Sequence, residues 1–141
     1  MPDVSAVVVN WNGGTTLLDT VRALVEHPPT GHLEVVVVDN GSSDGSHEHV
    51  AAAFPDVRVL RNATNRGLAA ANNQGIAAAV HDRLLICNPD VLVADGAIDA
   101  LAACLDRHPR AAWAVPRVRR TDGTLQPAVG DLPTLAEALL G

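Results

Sequence analysis

Three residues in this chain have the type and the setting to do chemistry: Trp11, Asp39 and Asp90. Trp11 follows the apolar run Val4 to Val9, Asp39 closes the run from Leu33, and Asp90 follows Arg83-Leu84-Leu85-Ile86-Cys87-Asn88-Pro89. An aromatic ring can stack on a base, and a carboxylate can accept hydrogen bonds from a base or a ribose. A second carboxylate can hold a hard divalent cation against phosphates. Singly, each has a plainer reading: a lone tryptophan packs in a core or at its rim, and Asp39-Asn40-Gly41 makes an ordinary turn. Their shared position at the ends of apolar runs sets them apart.

The elements that must position them follow from periodicity. Val4 to Val9 reads as a first strand that breaks at Asn10-Trp11-Asn12-Gly13-Gly14. Thr15 or Thr16 can cap a helix whose apolar positions Leu17, Leu18, Val21, Leu24 and Val25 keep helical spacing until Pro28-Pro29. Leu33 to Val38 is a second strand, followed by the turn-rich loop Asp39 to Ser46 and a helix ending near Phe54-Pro55. Val57 to Leu60 is a third strand. Arg66 to Val80 is an alanine-rich helix, broken in composition by Asn72, Asn73 and Gly75, whose small residues predict close packing on the sheet. The apolar run between Arg83 and Pro89 is a fourth strand, read as buried on both faces with its tip at Asn88-Pro89-Asp90, Pro89 ending its pairing where Asp90 begins. Asp95 is placed to cap a helix through Leu105, His108 to end it, and Ala111 to Val115 is a fifth strand. Beyond Pro116 come a turn at Asp122-Gly123, prolines at 127 and 133, and a short apolar helix from Thr134 to Leu140.

Strands alternating with helices imply right-handed crossovers and a mostly parallel sheet in an α/β fold. In such sheets ligands sit beyond the carboxyl ends of the strands, where strand order reverses. An order of 3-2-1-4 would bring Trp11, Asp39 and Asp90 to adjacent strand tips, as one site.

The totals narrow the chemistry. With 141 residues the chain is expected to be one domain, burying roughly two-thirds of its extended surface. Ten basic against sixteen acidic residues give a net charge of −6 with no basic stripe, which argues against nucleic acid or an anionic membrane as partner. All ten cations are arginines, and there is no lysine or tyrosine, so Schiff-base chemistry, a P-loop lysine and tyrosine acid/base catalysis are out. Cys87 and Cys104 read as buried hydrophobes in a reducing compartment. No apolar run approaches the ~18 residues of a membrane span, and no signal peptide is evident, so a cytoplasmic location is expected.

Four motifs occur in order: Val-Val-Val-Asn-Trp-Asn-Gly at 7–13; Glu-Val-Val-Val-Val-Asp-Asn-Gly-Ser-Ser-Asp-Gly-Ser at 34–46; Asn65-Arg66-Gly67 with Ala70-Ala71-Asn72-Asn73-Gln74-Gly75-Ile76; and Asn88-Pro89-Asp90. Together they resemble the family 2 glycosyltransferases with the GT-A fold, a three-layer α/β/α arrangement, and among them the rhamnosyltransferase-like branch. The resemblance runs from about Val4 to Asp122-Gly123-Thr124-Leu125-Gln126.

The resemblance implies a nucleotide-diphosphate sugar donor, dTDP-rhamnose in the nearest branch, and a glycan or lipid-linked acceptor of the kind used in cell-envelope polysaccharides. By it, Trp11 lies near the base, Asp39 contacts the base and Arg66 flanks the nucleotide, with Asn10, Asn12 and Asn40 beside them. Asn88-Pro89-Asp90 stands in place of the family's Asp-x-Asp. Asp90 is then the ligand for a divalent cation, magnesium or manganese, and Asn88 the ribose-side residue. Losing one negative charge at Asn88 rests metal affinity on Asp90 and the donor diphosphate. The implied reaction is an inverting displacement at the sugar's anomeric carbon, which also needs a general base. In the family that carboxylate comes from a later acidic motif. Asp122, Asp131 and Glu137 do not match it, so no base is assigned and the domain at 1–141 is expected to be incomplete at its C-terminal end. Leu132, Leu135, Ala136, Leu139 and Leu140 are expected to pack on something, a missing segment or a partner, and the protein is expected to self-associate or to be marginally stable. Asn65, Asn72 and Asn73 either line the site or serve as cap and surface residues.

Other readings are weaker. The chain could bind nucleotide-sugars without transferring them, alone or as a partner subunit. Gly41-Ser42-Ser43-Asp44-Gly45 fits G-x-S-x-G, with Ser43, Asp90 or Asp95, and His108 in hydrolase order, yet no glycine-rich oxyanion segment follows an early strand. A receiver-like acidic pocket would need a lysine, and no G-x-G-x-x-G follows a strand. His47 and His49, two apart on a helix, face different ways and make a poor metal pair; His27, His32, His81 and His108 read as surface residues near element ends.

Overall fold

The computed structural model describes residues 1–120 and 122–126. The elements run β1 (Val4–Asn10), α1 (Gly14–Glu26), β2 (Leu33–Asp39), α2 (Ser46–Ala53), β3 (Arg58–Arg61), α3 (Leu68–Ala78), β4 (Arg83–Cys87), α4 (Ala97–Arg107), β5 (Val118–Arg119) and β6 (Leu125–Gln126). The chain divides into two compact units, Met1–Ala103 and Cys104–Gly141.

In the first unit the four strands are parallel in the order β3-β2-β1-β4, as the sequence predicts for the site's neighbourhood. The valine runs explain the centre. Successive side chains of a strand point to opposite faces, so a strand covered on both sides needs apolar residues throughout. Every residue of β1 is buried. Val4, Ala6 and Val8 turn to one face, where they meet Val35 and Val37 of β2, Leu17, Val21 and Leu24 of α1, Val50 of α2 and Ile98 of α4. On the other face Val9 joins Val36, Val38 and Ala71 of α3. This is a helix–sheet–helix sandwich.

Gly75 lets α3 lie close to the sheet. A Cβ at that position would overlap Val7 Cγ1 and come within 3.1 Å of Val38 Cγ2. The close packing that the helix's small residues predict is thus made at Gly75 and at the buried Ala71.

Three expectations need correction. β4 is not buried on both faces: Leu85 and Cys87 turn to the α1 side, but Leu84 and Ile86 are 40% and 47% exposed. β4 pairs with β1 alone among the described strands, and α3 lies over β1 and β2 instead. Its pairing does stop at Cys87, opposite Val8, immediately before Asn88-Pro89-Asp90. Ala111 to Val115 forms no strand. Trp113 and Val115 are exposed there, and an apolar run between Pro109 and Pro116 cannot become a strand without a ladder partner. The helix starts also differ. α1 begins at Gly14 with Gly13 at the cap position, so Thr15 and Thr16 lie inside its first turn, and α4 begins at Ala97, after an Asp95-Gly96 turn.

In the second unit, β5 and β6 pair antiparallel across the Asp122-Gly123 turn, where Gly123 has φ +83°. His108 follows the last residue of α4, and its amide donates to the Leu105 carbonyl. The predicted helix at 134–140, with Asp131 and Glu137, lies outside the described residues. No helix among the described residues is long and apolar enough to cross a membrane.

Candidate functional site

The loops after β1 and β2 leave the sheet side by side because Asn10 and Asp39 are register partners. Asn10 is fully buried and holds both loops. Its Nδ2 donates to Asp39 Oδ1 at 2.9 Å and to Ser46 Oγ at 2.8 Å, with Ser42 Oγ at 3.1 Å, while its Oδ1 accepts the Gly13 amide at 3.1 Å. Asn12, in the left-handed region at φ 52°, accepts the Ser43 amide through Oδ1 at 2.9 Å, and its own amide donates to Ser42 Oγ at 2.9 Å. Asp44 completes the lacing. It accepts the Gly14 amide at 2.8 Å and both the amide and hydroxyl of Ser46, and the Ser46 hydroxyl, first among these donors, holds its carboxyl below the usual value.

Asn40 does the same for the next loop. Its amide donates to the Asn10 carbonyl, its Nδ2 to Asn65 Oδ1 at 2.8 Å, and its Oδ1 accepts Asn62 Nδ2 at 3.2 Å and the Arg66 amide at 3.0 Å. Gly41 makes this possible: at φ +81°, a Cβ there would meet the Thr64 backbone at 2.8–2.9 Å.

The candidate residues thus fall into two groups. Asn10, Asp39 and Asn40 are buried and fix the loops, whereas Trp11, 60% exposed, Asn12, Arg66, Asn88 and Asp90 are on the surface. Trp11, Asp39 and Asp90 do follow adjacent strands, β1, β2 and β4, at one end of the sheet. Asn65 is tied into the Asn40 network; Asn72 is half-buried and Asn73 exposed on α3.

Asp39 has no exposed surface. Its Oδ2 accepts the Ser42 amide at 3.2 Å, with His47 Nδ1 at 3.8 Å and Arg61 Nε at 4.0 Å. Ser42 and Arg61 also line a cavity of about 310 Å³ with Gly41, Asn62 and Ala63. Neither His47 nor Arg61 was singled out by sequence reasoning. The three-residue spacing of His47 and Val50, which share the buried face of α2, was the available signal.

Asp90 stands beyond the end of β4, exposed, and its charge together with burial, the larger cause, pushes the Cys87 thiol up to about 11. Cys104 is only partly buried. Among the described residues no three His, Cys, Asp or Glu side chains converge to cage a metal. A single exposed carboxylate fits a hard cation whose other ligands are diphosphate oxygens and water, the usual manner of magnesium. Ser43 lies four residues past the end of β2 and three before α2, with its amide held by Asn12. A nucleophile elbow needs the serine at the strand-to-helix turn itself.

Comparison with known proteins gives consistent findings. A family model described as "Glycosyl transferase family 2" matches residues 5–136. An N-acetylglucosaminyl-diphospho-decaprenol L-rhamnosyltransferase of Mycobacterium tuberculosis is 33% identical over 150 residues, covering 96% of this chain and 48% of the relative. Among solved structures, S. aureus TarS 1–349 in complex with UDP-GlcNAc superposes with a TM-score of 0.67 at 24% identity, covering 77% of this chain and 32% of that one. The mannosyltransferase PcManGT from Pyrobaculum calidifontis, in complex with GDP-Man and manganese, gives 0.65 at 26% identity over 74% and 34%. The chain spans about half the length of the mycobacterial relative.

Proposed function

The chain belongs to glycosyl transferase family 2, and on that premise we propose that residues 1–141 form one donor-binding domain of an inverting enzyme that takes sugar from a nucleoside diphosphate. The observation that carries this reading is the sheet order β3-β2-β1-β4, which sets the loops bearing Trp11, Asp39 and Asp90 on neighbouring parallel strands. The exposed ring of Trp11 offers a stacking face to the base and Arg66 a cation beside the phosphates, while Asp39, which has no exposed surface, shapes the loop after β2 rather than contacting the base as the resemblance implies. Asn10, Asn12 and Asn40 fix the loops around the base, and Asn88 serves the ribose.

Asp90 would hold a magnesium or manganese ion, which when bound offsets the charge of the departing diphosphate. That PcManGT is described with manganese supports the choice of ion class. The mycobacterial relative supports dTDP-rhamnose as the first donor to try and a lipid-linked glycan as acceptor class. Those substrates point to work at the cytoplasmic side of an envelope. Self-association, or a partner chain held through the apolar residues near the C-terminal end, belongs to the same reading.

Calorimetric titration of the purified chain with UDP, dTDP and GDP, with and without magnesium or manganese, tests it, alongside Asp90→Ala. Metal-dependent binding of one nucleotide, lost in Asp90→Ala, is the expected result. A folded chain that binds none of the three overturns the reading.

A further inference from the structure

Three buried side-chain polar atoms lack a hydrogen-bond partner among the described residues: Thr20 Oγ1, His47 Nδ1 and Gln74 Oε1. Buried polar groups are nearly always paired, so each exception needs a reason. Of the three, His47 Nδ1 is the one recorded against a carboxylate, 3.8 Å from Asp39 Oδ2. Its other ring nitrogen, Nε2, lies 3.0 Å from Glu48 Oε1 on the same helix. Glu48 is well exposed and can turn to water, whereas His47 and Asp39 are both buried and cannot.

The Asp39 carboxylate is held unequally. Oδ1 accepts a 2.9 Å hydrogen bond from Asn10, while Oδ2 has a long 3.2 Å bond from the Ser42 amide. Two groups able to carry positive charge then stand just outside contact with Oδ2: His47 from α2 and Arg61 from β3, the latter at 4.0 Å. The oxygen with capacity to spare is therefore the one that His47 and Arg61 flank. Ser42 and Arg61, two of its neighbours, line the adjoining cavity.

We propose that His47 is a positioning residue for donor binding, steadying the Asp39 carboxylate through Oδ2 so that the loop from Asp39 to Ser46 keeps the shape the nucleotide meets. This rests on the donor-site reading above. His47 touches no nucleotide itself; its effect passes through Asp39. With hydrogen on Nδ1 it needs to close less than one ångström to become a full hydrogen-bond donor to Oδ2.

The two ring nitrogens can be separated by substitution. The amide nitrogen of an asparagine can stand near the position of Nδ1, and that of a glutamine near Nε2. His47→Phe keeps a ring and removes both nitrogens. Titration of the full chain with UDP, dTDP and GDP should show nucleotide affinity falling about tenfold in His47→Phe and as far in His47→Gln, but returning to within about threefold of wild type in His47→Asn. Thermal unfolding of each variant separates this pattern from lost stability, since a packing role would lower melting temperature and affinity together, whereas the positioning role sets Asn above Gln in affinity at comparable stability. If His47→Phe does not fold, the comparison of His47→Asn with His47→Gln decides alone. Equal affinity in wild type and every folded variant, or an equal fall in Asn and Gln, overturns the positioning role while leaving the donor site intact. Failure of the wild-type chain to bind any of the three nucleotides overturns both.

Discussion

Asn10 and Asp39 are opposite one another in the β1–β2 ladder and are joined again by their side chains, Asn10 Nδ2 to Asp39 Oδ1 at 2.9 Å. The double link makes Asn10 the node at which three segments meet: the start of α1 through Gly13, the loop after β2 through Asp39, and the start of α2 through Ser46. Removing a buried partner leaves the remaining groups without water or bond, which costs more than the bond itself contributes. Asn10→Ala should therefore destabilise the protein by about 3 kcal/mol. Asn10→Asp should cost more, because it sets a second carboxylate against a buried one. Urea midpoints with an unchanged slope check both. A change within about 0.5 kcal/mol, the range of surface substitutions, would mean the network is not a node.

Gly75→Ala sets two effects against each other. Alanine improves helix propensity by about 1 kcal/mol, while forcing a methyl into a packed core costs about 1–3 kcal/mol. The added Cβ would overlap Val7 Cγ1, a branched side chain on the central strand with little freedom to turn away. Packing should win, and thermal unfolding should show Gly75→Ala below wild type. Gly67→Ala would be lowered for a different reason: no atom lies within 4 Å of its Cβ, but its φ of +83° is strained for any side chain.

The sequence made the sheet legible because valine runs and turn clusters alternate without ambiguity, and the same strand ends made it legible that Trp11, Asp39 and Asp90 gather at one end of the sheet. It did not show that Asn10, Asp39 and Asn40 would be inside. Short polar residues after a strand look alike whether they face a ligand or lace two loops together, and only the tertiary pairing of Asn10 with Asp39 and of Asn40 with Asn62 and Asn65 separates the cases. Leu84 and Ile86 are exposed for a related reason: a strand paired on one side among the described strands can carry the same apolar run as a central one. For His47 the spacing from His49 speaks only to metal binding, whereas its three-residue interval from Val50 places it on the packed face of α2.

Asp44 gives the loop lacing a pH signature. Its carboxylate value is lowered from 3.8, chiefly by the Ser46 hydroxyl and then by the Ser46 and Gly14 amides. A group whose value is lower in the folded state stabilises fully above 3.8, and its contribution disappears as pH falls through the lowered value. Asp3 and Asp122 are lowered as well, so the whole protein loses stability in the same direction. The difference isolates Asp44: wild type and Asp44→Asn should differ most in urea midpoint at neutral pH, and the gap should narrow well below pH 3.8. A gap that stays constant across that range would assign the effect to shape alone.

Cys87 offers a reporter for the charge at Asp90. Burial, with a smaller contribution from the Asp90 carboxylate, raises its thiol from 9.0 to about 11. At neutral pH it is therefore almost wholly protonated and should alkylate far more slowly than a free thiol, since the thiolate is the nucleophile. The raised value also means that folded stability declines as pH climbs from 9.0 towards about 11, where the unfolded chain ionises first. A divalent cation on Asp90 would cancel the negative charge that Cys87 senses and lower its value. In a Cys104→Ser background, magnesium or manganese should speed iodoacetamide labelling of Cys87 by about two- to threefold. Asp90→Asn should label at the faster rate without metal and ignore its addition. A metal response that persists in Asp90→Asn would move the cation to another carboxylate, and no response in either protein would mean that Asp90 does not hold the ion without the donor diphosphate.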